Sequence, residues 1–134
     1  MDALAAELER NLELADAAKT LIDRERDMLQ GEVRERLVTH RFHTDAWHAL
    51  VNGGDIDELG DAAEAVAECY MHLQEVNEVL EWFREHGNRT AYLPLVRDTA
   101  DGYGRKELVQ VLREKFDEAE LKLRDARQAV DEAD

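Results

Sequence analysis

Serine is absent from this chain of 134 residues, and lysine, isoleucine, proline and cysteine are scarce. Without serine there is no serine nucleophile and no Gly-x-Ser-x-Gly elbow, and neither a Gly-rich phosphate loop nor a Cys-x-x-Cys pair occurs elsewhere. The lone cysteine, Cys69, excludes an intramolecular disulfide and suits a reducing compartment. Its helical neighbours Val66, Tyr70 and Leu73 predict a buried thiol. A single proline, Pro94, leaves long stretches free of helix breakers. Aromatics make up only 6% of the chain, so Trp47, Tyr70, Trp82, Phe83 and Phe116 are the expected core anchors. No apolar run approaches the ~20 residues of a membrane span, and Met1-Asp2-Ala3-Leu4-Ala5-Ala6-Glu7 lacks the basic start of an export signal. A cytoplasmic location is the resulting expectation.

What the chain has in excess is negative charge. Asp and Glu total 32 against 17 Lys and Arg, a net charge of −15. Such a surface repels itself in dilute buffer, where screening reaches ~30 Å at 0.01 M salt, and is relieved near 1 M, where it reaches ~3 Å. Acid-rich, Arg-over-Lys, Ala-rich and Ile-poor, the composition resembles that of halophilic archaeal proteins, which implies a salt-filled cytoplasm. The same charge argues against a nucleic-acid clamp, whose affinity comes from Lys and Arg on phosphates, and against an anionic membrane surface.

Glycines punctuate three long helical patterns. The first spans about 2–38, with Leu4, Leu8, Leu12, Ala15, Ala18 and Ile22 at three- and four-residue steps and with Gly31 as the place where it can bend. A second spans about 61–86, with Asp61 as N-cap and Gly87 just past its end. A third runs over about 105–132, where Leu108, Leu112, Phe116, Ala119 and Leu123 make a coiled-coil-like seam. Between the first two, Thr44 or Asp45 can cap a short helix over about 44–51 that buries Trp47, Leu50 and Val51. Residues 87–104 read as an apolar loop. The pattern predicts one all-α domain, an elongated antiparallel bundle of three to four helices.

Three constellations bear on chemistry. Glu32-x-x-Glu35, followed after 22 residues by Glu58-x-x-Asp61, resembles the acidic motif of MazG-like and dUTPase-type all-α nucleotide pyrophosphohydrolases. That resemblance implies Mg2+ held between two helices against a triphosphate, with Glu32, Glu35, Glu58 and Asp61 as ligands. Gly60 interrupts the second half of the motif. The stretch from Arg34 to Phe42 is similar to the Arg-x4-6-His element of HEPN ribonucleases, which implies Arg34 and His40 acting on an RNA phosphate across a dimer. Cys69 and His72, three apart on one helix, together with His40, His43 and His48 from the preceding segment, have donor types that suit zinc, although nothing in the sequence brings those histidines to that helix.

Each of these patterns also has a plain structural reading, as a solvated acidic face, a helix ion pair or scattered histidines. The expectation is therefore a non-catalytic helical interaction or assembly protein with no cofactor, a homodimer or the partner of another helical protein. Trp82, Tyr92, Leu108, Leu112, Phe116 and Leu123 are the interface candidates. A Mg-dependent pyrophosphohydrolase is the alternative, and a HEPN-like ribonuclease the next.

Overall fold

The computed structural model describes residues 2–24, 39–86 and 108–133. These residues form four α-helices and one short 3-10 turn, an all-α bundle with no strand among them. Helix α1 is Asp2–Arg24, α2 is Asp45–Asn52, α3 is Ala63–His86 and α4 is Leu108–Ala133, with the 3-10 turn at Ile56–Ala62 ahead of α3. The expected continuation of α1 to residue 38 and the loop over 87–104 lie outside the described residues.

Helix α4 is the spine. Its apolar stripe, read from the sequence, is fully buried at Leu112, Phe116, Ala119, Leu123 and Ala126, and it packs on both α1 and α3. Ion pairs along the α1–α4 seam fix the direction: Glu9 meets Arg127, Lys19 meets Asp117 and Glu120, and Asp23 meets Arg113. As α1 rises in number α4 falls, so the two are antiparallel. The 3-10 turn packs on α4, and the cleft there holds Glu58 and Glu132, while His72 further along α3 meets Lys115. Helix α3 is thus antiparallel to α4 as well. The up–down alternation holds for the two pairs that share α4, while α1 and α3 run parallel to each other.

By backbone, α1 and α3 approach each other far less closely than either approaches α4. The segment 41–47 lies between them, and Phe42, buried to 4% exposure, tilts its ring against that of Phe116 on α4 at 5.7 Å. This corrects one detail of the elbow. Trp47 and Leu50 are half-buried against the core as expected, but Val51 is 39% exposed and the deeply buried residue is Phe42. Leu50 and Val51 lie ~100° apart around α2, so the rotation that turns Leu50 to the core leaves Val51 at the solvent edge of the stripe.

The start of the second long helix also differs from expectation. Asp61 does not cap α3; it sits inside the 3-10 turn, which bends at Gly60 with φ +55° and ψ −127°. That backbone is open only to glycine in practice. It lets Leu59 and Ala62 both turn into the core ahead of α3.

Candidate functional site: a clamped elbow between helices α1 and α3

Three buried polar side chains hold the elbow, and each works on main chain. Asn77 of α3 accepts from the Phe42 N–H at 2.8 Å and donates to the Phe42 carbonyl at 3.1 Å. Asn11 of α1 does the same for the next residue, accepting from the His43 N–H at 2.9 Å and donating to its carbonyl at 2.8 Å. A side-chain amide has the donor–acceptor pair of a peptide unit, so the two asparagines pair with consecutive residues of an extended strap as neighbouring strands would. The strap would otherwise bury main-chain groups without partners.

Glu7 completes the clamp. Its carboxylate accepts from the Ala46 N–H at 2.8 Å and, more loosely, from the Trp47 N–H at 3.4 Å, the second and third amides of α2. Those amides are normally capped by the residue at the helix start, here Thr44, which makes no cap bond. A carboxylate also suits the positive end of a helix. The Tyr70 hydroxyl donates to the same carboxylate at 2.7 Å, and the Tyr70 ring stacks on Trp47 at 5.2 Å and 8°. Burial first, and then the adjoining carboxylate, push the Tyr70 phenol far above its ordinary range.

None of Glu7, Asn11 or Asn77 was legible as a functional residue in the chain. For Asn11 alone a signal exists: Leu4, Leu8, Asn11, Ala15, Ala18 and Ile22 follow a four–three–four–three–four step, so the seam of α1 runs through Asn11, while Leu12 is only half-buried. A polar residue on an apolar stripe points to a buried partner.

The candidates read from sequence fall elsewhere. Glu58 and Asp61 lie exposed on the 3-10 turn, beside a cleft of about 470 Å³ that Glu132 also lines. The Gly60 bend between them removes the shared α-helical face that the pyrophosphohydrolase motif requires. Glu32, Glu35, Arg34 and Tyr92 lie outside the described residues, and His40 is half-buried at the start of the strap. Among the described residues no three His, Cys, Asp or Glu side chains gather as a metal site. Cys69 is buried, and burial pushes its thiol up to about 12, far from a thiolate ligand or nucleophile. His72 turns its Nε2 to the Lys115 carbonyl oxygen at 3.2 Å, tying α3 to α4.

Of the interface candidates, Leu112, Phe116 and Leu123 have no exposed surface, because they form the chain's own core against α1 and α3. Their four–three spacing reflects packing inside one chain. Leu108 opens α4, and Trp82 is half-buried against the core. Among the described residues, the large apolar side chains that do face solvent are Met71, Leu121 and Val51. No helix among the described residues is long and apolar enough to cross a membrane.

No protein-family model matches the chain, and neither a curated protein nor a solved structure matches it.

Proposed function

We propose that the chain is a non-catalytic helical interaction or assembly protein of a high-salt cytoplasm, acting as a homodimer or docked on another helical protein. The observation that carries this reading is the use made of its buried polar groups. General acid–base chemistry needs a proton or a lone pair aimed at a substrate. Here Glu7 has one carboxylate oxygen on Ala46 and the other on Trp47 and Tyr70, while Asn11 and Asn77 are filled by main chain. The His72 ring lies on a carbonyl, and the Cys69 thiol is held protonated. These groups fix the positions of helices, which is what a docking scaffold needs. The exposed Met71 and Leu121, with the half-buried Trp82, are apolar footholds for a partner.

A thermal-shift screen in about 2–3 M KCl, where screening is a few ångströms, tests the non-catalytic part. Mg2+, Zn2+ and nucleoside triphosphates should leave the melting temperature where KCl alone sets it. A clear rise with Mg2+ plus a nucleotide would overturn the reading and return attention to Glu32, Glu35, Glu58 and Asp61.

A further inference from the structure

We infer that the cleft between the elbow and α3 binds a small zwitterion, a molecule carrying a carboxylate and an ammonium such as a free amino acid. The cleft measures about 580 Å³, within the roughly 300–1,000 Å³ of small-molecule sites. Arg41, Thr44 and His48 line it from the elbow, and Gln74, Glu78 and Glu81 from α3.

Two features make this a place to bind and not only a dent. The first follows from the clamp. Because Glu7 reaches over from α1 to cap α2, Thr44 at the helix start makes no cap bond, and its hydroxyl is left to the cleft that it lines. Arg41 stands beside it. Its ion pair among the described residues is with Glu81 at 3.6 Å, too long for a hydrogen bond, so the guanidinium fork keeps its donors for a second carboxylate. Arg41, the Thr44 hydroxyl and the His48 ring thus offer an anion-binding side, all from the strap and the first turns of α2.

The second feature is the charge balance. On a chain with 32 acidic and 17 basic residues, this cleft is lined by two of each, Arg41 and Arg84 with Glu78 and Glu81. Glu81 faces both arginines, whereas Glu78 pairs with no cation among the described residues and is open to an ammonium. A dianion would meet the two glutamates and a dication the two arginines. A zwitterion satisfies both walls, its carboxylate on the elbow and its ammonium on α3. Bound in that way it bridges the two elements that Asn77 already joins through Phe42, and it stiffens the elbow.

The test is a titration of the full chain in KCl with a panel of free amino acids, followed by amide NMR, with the N-acetylated amides of the same residues as controls that lack both charges. At least one free amino acid should give saturable shifts at residues of the elbow and of α3, and its blocked form none. Arg41→Ala should weaken that binding about tenfold or more, as loss of a bidentate charge-assisted contact does, and Glu78→Gln should weaken it by a similar factor. Both side chains lie at the surface, and an unchanged circular dichroism spectrum verifies that each variant is folded. Absence of saturable binding across the panel, equal binding of the blocked forms, or undiminished binding by Arg41→Ala would each overturn the assignment.

Discussion

Replacing Asn77 by leucine keeps most of the side-chain volume on α3 and removes both hydrogen bonds to Phe42. Phe42 is 4% exposed, so its N–H and C=O lose their partners where water cannot easily replace them. Each orphaned buried group costs about 1–3 kcal/mol, and the pair about 3 kcal/mol once some relaxation of the strap is allowed. Against a total stability of about 5–15 kcal/mol that is a large loss. For a chain of this size it corresponds to a melting temperature lower by roughly 10 °C. Melting curves by circular dichroism, at one KCl concentration throughout, provide the readout. Gln74→Leu, one turn earlier and half-buried, is the control and should change stability by less than about 0.5 kcal/mol. Asn11→Leu should fall between the two, because His43 lies nearer to water. An Asn77→Leu protein that melts with the wild type would refute the idea that these bonds hold the elbow.

Other consequences can be measured separately. Gly60→Ala meets no atom within 4 Å, yet should destabilise by about 1–2 kcal/mol through backbone strain at φ +55°, read by the same melts. Asp117 is held below its ordinary value: burial acts to raise it but is outweighed by hydrogen bonds from Lys19 and Arg113. The stability it contributes is therefore present above pH ~4 and lost as the pH falls through its depressed native value, and Asp117→Asn should flatten the acid limb of a stability–pH curve. Cys69, with its thiol pushed up to about 12, should resist thiol reagents at neutral pH in the folded chain and react once the chain is unfolded. Because the unfolded thiol ionises first, this group should also lower stability as pH rises above ~9. The melting temperature should climb between about 0.1 and 3 M KCl as screening relieves the charge of −15, and a flat response would contradict the reading of the surface.

The three long patterns in the chain are dominated by a repeating apolar contact, and burial of Leu4, Leu8, Ile22, Leu73, Leu112 and Phe116 follows directly from that period. Helix α2 was legible too, from the Thr44-Asp45 start and the Gly53-Gly54 stop. The clamp was not, because it joins residues 32 to 63 positions apart, and nothing in Glu7 says which amides it will cap. Propensity offers Thr44 or Asp45 as the local cap; Thr44 takes the cap position, but its side chain makes no cap bond and Glu7 from α1 supplies it instead. The seam of α4 looked like a coiled coil seeking another chain, and the spacing alone does not distinguish a partner helix in the same chain from one in a second. Asp61 as N-cap failed because a glycine one residue earlier bends the chain, so that regular helix begins only at Ala63.

The measurement that bears most directly on the proposed role is light scattering coupled to size exclusion, on the full chain in about 2–3 M KCl, where charge repulsion between copies is screened. The account predicts a discrete dimer whose mass holds on dilution and which Met71→Glu or Leu121→Glu weakens. A monomer at every concentration, unaffected by either substitution, would contradict self-assembly.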